Sequence, residues 1–158
     1  VETVFEMLSR QKEKARFTGG LEAARLAPWH VEWLAKLKPK VMWFAYDTAD
    51  DLEPLMSASR LLQDAGLMGA AHQACCYVLI GWRDDTIREA EQRLRRVVRL
   101  GFFPQAMLLD NGVHLPPAER RTWREFRWEW ATKKMVGAKM KRIGQIEIRK
   151  VPDIIIAR

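Results

Sequence analysis

Four positions carry residue types that could do chemistry at the ends of apolar runs. Glu22 follows Gly19-Gly20, and Asp47 closes the run VMWFAY at 41–46. Ile80 and Gly81 close ACCYVLI at 74–80. Flexible glycines let a backbone approach a ligand closely, so a carboxylate such as Glu22 beside them could accept from an ammonium or a hydroxyl. It could equally be an acid favourably placed at a helix N-terminus. Asp47 stands where a parallel barrel strand would deliver a functional group; its other reading is an N-cap before the next helix. Trp82 could stack on a planar ring or sit at a rim, and Arg25 could grip a carboxylate bidentately or form a surface ion pair. Tyr46 reads as core, with its hydroxyl satisfied.

Other chemistries find little support. His30, His72 and His114 are scattered, with no pair at the i, i+4 spacing of a helical zinc site. No serine has the Gly-x-Ser-x-Gly context of an elbow nucleophile. The two cysteines are adjacent, Cys75 and Cys76, which excludes a disulfide framework and a four-cysteine zinc site. Neighbours on a strand point to opposite faces, so both could not reach one iron centre. Neither a Gly-x-Gly-x-x-Gly nor a Gly-x-x-x-x-Gly-Lys-Ser/Thr loop occurs.

These positions need a frame. Apolar spacing predicts a helix over 1–14, built on Val1, Val4, Phe5 and Leu8. A short strand follows at 15–18, then a helix entered by Pro28 and stopped by Pro39. The unbroken run at 41–46 predicts a strand buried on both faces. A helix on Leu52, Leu55, Met56, Ser59 and Leu62 leads to Gly66, and the strand at 74–80 comes next. Asp84 and Asp85 are cap candidates for a helix on Ile87, Ala90, Leu94, Val97 and Val98, which Gly101 ends. A strand at 103–109, weakened by Pro104, precedes a turn at Asp110-Asn111-Gly112 and a helix at about 117–134. The stretches 145–148 and 153–157 could be strands, separated by Pro152. Strict alternation with helix-length crossovers predicts an α/β fold with a parallel sheet.

The 158 residues carry a formal charge of +7. Residues 119–150 hold 11 Lys/Arg against 4 Asp/Glu, and the rest of the chain balances to zero. A basic end of this kind can bind nucleic acid or an acidic partner, or simply be a solvated helix face. No apolar run is long enough to span a bilayer, and VETVFEML lacks a signal-peptide layout; the expectation is a cytoplasmic protein of one domain-sized unit, with no membrane partner. The chain does not begin with Met, which suggests that a segment precedes it.

Three segments taken together carry a family resemblance: FTGGLEAARL at 17–26, MWFAYDTADDLEPL at 42–55 and CYVLIGWRDDTIREAEQRL at 76–94, followed by GFFPQAMLL at 101–109. Over roughly residues 3–131 the chain resembles the later half of the catalytic barrel of radical S-adenosylmethionine (radical SAM) proteins. The resemblance implies a fragment of a partial TIM-like (βα)6 barrel over 1–134, lacking its first two units, and a basic C-terminal extension over 135–158. Residues 17–18, 44–46, 78–80 and 107–109 would end the third to sixth strands. It implies S-adenosylmethionine (SAM) and a [4Fe-4S] cluster as cofactors of the full-length protein. The cluster loop, Cys-x-x-x-Cys-x-x-Cys, is absent here, so this chain alone is expected to hold neither. On the same resemblance Glu22 and Asp47 would lie near the polar parts of SAM, and the backbone of Ile80 and Gly81 against its adenine.

Four strands cut from a barrel would expose about a few hundred Å² of apolar surface, which the missing N-terminal half or self-association would have to cover. The competing reading is a non-catalytic basic module. In it, residues 120–142 would grip nucleic acid or an acidic protein, with Trp123, Phe126 and Trp130 stacking on bases beside Arg127. The other reading of that stretch is a last helix packing its tryptophans inward.

Overall fold

A computed structural model describes residues 2–69, 72–82, 84–109 and 117–148. Ten main elements follow in order: α1 (Glu2–Ser9), β1 (Arg16–Leu21), α2 (Pro28–Leu37), β2 (Val41–Tyr46), α3 (Leu52–Asp64), β3 (Ala74–Ile80), α4 (Ile87–Arg99), β4 (Phe103–Leu108), α5 (Pro117–Ala131) and α6 (Lys133–Ile148). Short 3-10 turns at Ala23–Arg25 and Ala49–Asp51 lead into α2 and α3. The strands form one sheet in the order β1-β2-β3-β4, and every pair is parallel. The α/β class and the parallel sheet expected from the alternation are therefore present.

This strand order decides where the helices go. Each crossover adds the next strand on the same side of the last, and right-handed crossovers that always step one way put their helices on one face. Accordingly Met42, Phe44, Tyr46, Cys76, Val78, Ile80 and Ala106 share a single core with Leu34 of α2, Leu55 and Leu62 of α3, and Leu94 and Val97 of α4. The partners across the ladder, Phe44 with Cys76 and Tyr46 with Val78 and then Ala106, all point into it. Ser59, the buried polar residue within this core, donates to the Leu100 carbonyl at 2.6 Å and so ties α3 to the end of α4. Gly101, which follows, has φ +87°; the sharp exit into β4 needs glycine because a side chain rarely adopts that left-handed conformation.

The opposite face is dressed differently. Val41, Trp43, Cys75 and Phe103 meet Val136 and Met140 of α6 in a second, smaller cluster. Further along the strands, Trp43 stacks on Tyr77 with ring centroids 4.1 Å apart, Leu79 is half-buried, and Met107 is 45% exposed. On β1, Thr18, Gly19 and Gly20 are exposed. Burial along β2 thus alternates, correcting the expectation of a strand enclosed on both sides: an apolar run permits two-sided burial, but with the crossover helices on one side, α6 alone among the described helices packs on the other.

Four other expectations change. The first helix ends at Ser9 rather than at 14, because residues 10–14 (RQKEK) offer no apolar side chain to bury. The cap of α4 is Thr86, whose Oγ1 accepts from the Glu89 amide at 3.2 Å; Asp84 and Asp85 do not cap it. The stretch 145–148 is the end of α6 and not a strand, since Val136, Met140 and Ile143 recur at helical spacing and bury one side of that helix, the first two against the sheet. The division expected after residue 134 falls inside α6. The turn at 110–112, His114 and the stretch 153–157 lie outside the described residues. Trp123 and Trp130 are buried in the main core with Phe126 packed against it, so they are not a stacking platform. Among the described residues no helix is long and apolar enough to cross a membrane.

Candidate functional site

A parallel sheet brings the C-terminal ends of its strands to one edge, where loops leading into the next helices can line a cleft. Here β2 ends on Tyr46 and hands Asp47 to that edge, and β3 ends on Ile80 and hands over Gly81. Between these ends and α4 lies a cavity of about 440 Å³ lined by Tyr46, Asp47, Leu79, Trp82, Arg93 and Arg96, among others.

The cleft is built around a buried ion pair. Asp85 accepts from the Gly81 amide at 2.9 Å and from Arg93 Nη1 at 3.0 Å. Arg93 Nη2 also binds Asp85 and reaches the Leu79 carbonyl at 3.1 Å. The Asp85 side chain is 6% exposed and that of Arg93 20%, so the pair is stripped of most of its water. One carboxylate thereby holds the end of β3, the turn after it and the middle of α4 together. Gly81 takes φ +72° in this turn, a left-handed conformation that glycine adopts without a Cβ penalty.

The β2 side is organised by a second carboxylate. Asp51 Oδ2 accepts from the amides of Asp47 at 2.9 Å and Thr48 at 2.7 Å, and from Thr48 Oγ1 at 3.2 Å. The Asp47 side chain is left directed to no hydrogen-bond donor among the described residues. Partial burial pushes its pKa above the ordinary carboxylate value, and the nearby negative charge of Asp51 pushes it the same way. Beside it, the buried Tyr46 hydroxyl accepts from Arg96 Nη1 at 3.5 Å. The cleft therefore offers a carboxylate able to accept a hydrogen bond, a phenol, the Arg96 guanidinium beside it and the half-exposed indole of Trp82. That set suits a polar small molecule with a planar ring.

The residues singled out from the sequence are partly brought together. Asp47 lines the cleft, and Gly81 is fastened to its wall through Asp85. Ile80 adjoins them in sequence, but its side chain is fully buried on the helix-covered face and its carbonyl accepts from the Leu109 amide at 3.0 Å. Glu22 is not among the cleft residues: it pairs with Arg25 at 3.0 Å, both side chains largely exposed. That contact supplies the surface ion pair weighed for Arg25. Sequence reasoning missed Asp85, Arg93 and Arg96 as cleft residues. The available signal was an arginine beside the apolar stripe of α4, three residues after Ala90 and four before Val97, with an aspartate eight residues ahead of it.

Metal chemistry finds no ligand set: no group of three or more His, Cys, Asp or Glu is placed to hold an ion among the described residues. Cys75 and Cys76 are both buried and face opposite sides of the sheet, in separate clusters. Burial pushes the Cys75 thiol up to about 11 and raises that of Cys76 further. Two protonated thiols on opposite faces do not fit an iron–sulfur cluster. In comparisons with known proteins, no family model, no curated protein and no solved structure matches the chain.

Proposed function

We propose that the chain is the C-terminal portion of a radical SAM iron–sulfur protein, a fragment of its partial (βα) barrel that contributes SAM-pocket and substrate-side residues. The observation that carries this reading is the one-way winding of the sheet. Four parallel strands follow in sequence order with their crossover helices on one face, the winding that closes a barrel when continued. Helix α1 already packs in the helix layer, through Phe5 against Trp29 and Trp33, and a strand ahead of it would add at the free side of β1. The half-dressed face bearing Trp43, Tyr77, Leu79 and Met107 would then be the barrel interior.

On this reading SAM occupies the strand-end cleft of about 440 Å³. Asp47 accepts from its hydroxyl or amino groups, the Gly81 turn lets its adenine approach the backbone, and Trp82 closes the rim. Ile80 contributes backbone only. Glu22, tied to Arg25, would have to give up that pair to take part. SAM supplies the reactive group on reductive cleavage; this chain's part is to orient it and exclude water. The cluster is held by none of these residues and belongs to the preceding segment of a longer protein.

The test is the coding sequence upstream of Val1, expressed together with this chain. A Cys-x-x-x-Cys-x-x-Cys loop there, anaerobic assembly of a cluster on the joined protein and SAM binding weakened by Asp47→Asn are the expected results. An upstream region without such a loop, or a stoichiometric cluster on these 158 residues by themselves, would overturn the proposal. The alternative, a non-catalytic basic α/β module for nucleic acid or an acidic partner, has one observation in its favour: Trp128 on α5 is 59% exposed amid the arginines of that helix. Salt-dependent binding of single-stranded nucleic acid, lost on neutralising residues 120–142, would select it.

A further inference from the structure

The opposite end of the same strands holds a second cavity, and its chemistry is unlike that of the first. About 430 Å³ in volume, it lies on the less covered face, between the strand beginnings and the start of α6. Arg16, Lys40, His72 and Lys133 line it together with Trp43 and Phe103, and among the described residues no aspartate or glutamate takes part in the lining. The three permanent cations come from three elements: the first residue of β1, the residue before β2 and the first residue of α6.

None of Arg16, Lys40 and Lys133 has an ion-pair partner among the described residues, although ion pairs occur elsewhere on the molecule. Convergent like charges repel, and a fold that gathers them without a carboxylate gains by taking up an anion. Lys133 is near enough to the cavity wall for its charge to oppose the burial that raises the Cys75 thiol. The wall is also fixed in shape. His72 holds a left-handed backbone, φ +62°; its carbonyl accepts from Cys75 Sγ at 3.3 Å, and its ring stands edge-on to Phe103 at 4.2 Å. Trp43, half-buried, adds a flat apolar surface beside the cations.

We propose that this cavity binds a small organic phosphate with a planar ring, of mononucleotide size. Lys133, Arg16 and Lys40 take the phosphate, and Trp43 and Phe103 shelter the ring. The volume falls within the ordinary range of ligand pockets, and a phosphate meets three cations better than a carboxylate of one charge would. The proposal does not rest on the radical SAM reading, since the strand-end cleft and this cavity share no residue.

Isothermal titration of the purified chain with UMP, inorganic phosphate and uridine tests it. UMP is expected to bind saturably, phosphate more weakly and uridine weakest. Lys133→Gln and Arg16→Gln, both at exposed positions, are each expected to cost about tenfold in UMP affinity, with the circular dichroism spectrum unchanged. Arg88→Gln on α4 is expected to leave the affinity as it was. Absence of saturable UMP binding up to about 10 mM, uridine binding as well as UMP, or equal losses from Lys133→Gln and Arg88→Gln would each overturn the site.

Discussion

The two faces of one sheet are made by alternate residues of the same four strands, yet they differ in everything that packing can vary. Phe44 and Cys76 belong to the core that three crossover helices share and are wholly buried. One residue away, Trp43 and Cys75 pack with α6 alone among the described helices, and toward the C-terminal ends Leu79 and Met107 are less covered still. Composition explains only part of the difference, because along β2 and β3 both faces are apolar. Strand order explains the rest: a sheet wound in one direction receives its helices on one side. A face that is apolar but thinly covered marks where this fold expects company, whereas the covered face marks where its stability resides.

The sharpest way to break that contrast is a pair of truncations. Phe44→Ala, on the covered face, should cost about 3–5 kcal/mol in urea unfolding, while Met107→Ala should stay within about 0.5 kcal/mol of the parent. Comparable losses would mean that the second face carries load of its own. The buried pair at the cleft comes next. Arg93→Met leaves Asp85 charged and without its main partner, and should destabilise the chain by about 3 kcal/mol; the double variant with Asp85→Asn should lose less than the two single effects combined. Additive losses in that cycle would dissolve the proposed staple.

The cysteines sharpen the comparison on a kinetic scale. Both thiols are buried and hold their protons tightly, so a thiol reagent must wait for an opening. Cys75 needs only the departure of α6, whereas Cys76 needs the main core to part. In the Cys76→Ser variant, labelling should therefore be faster and less dependent on denaturant than in Cys75→Ser. Equal rates would show that the two faces open together.

The smallest effect concerns Asp47. Its folded-state pKa lies above the ordinary 3.8, so the folded chain holds that proton more readily than the unfolded one. The favourable contribution is complete below the unfolded value and is lost as pH rises through the raised folded value. Asp47→Asn should thus gain stability relative to the parent as pH climbs from below 3.8 toward neutrality, with no difference at the acid end. A gap that closes with rising pH would reverse the assignment. Asp47 is largely exposed, so the gain is small.

Much of the frame could be read directly from the residues. The runs at 41–46 and 74–80 became β2 and β3 residue for residue, because β-rich apolar runs bounded by turn residues have few alternatives. Helices α3 and α4 followed from apolar spacing and from the glycines after them. Asp47 could be placed at the cleft because strand ends in a parallel sheet share an edge. What no periodicity could supply was partnership across the chain. That Asp85 turns to Gly81 and Arg93 instead of capping α4, that Glu22 spends itself on Arg25, and that Val136 and Ile143 of α6 join two different apolar clusters are decided by distances between elements. Local propensity and pattern act within a few residues, so the sequence alone determined the elements from β2 to β4, their order and the parallel class. Which face each side chain shares, and which charges meet or are left unpaired at either end of the strands, depends on long-range packing and was decided only when the sheet assembled.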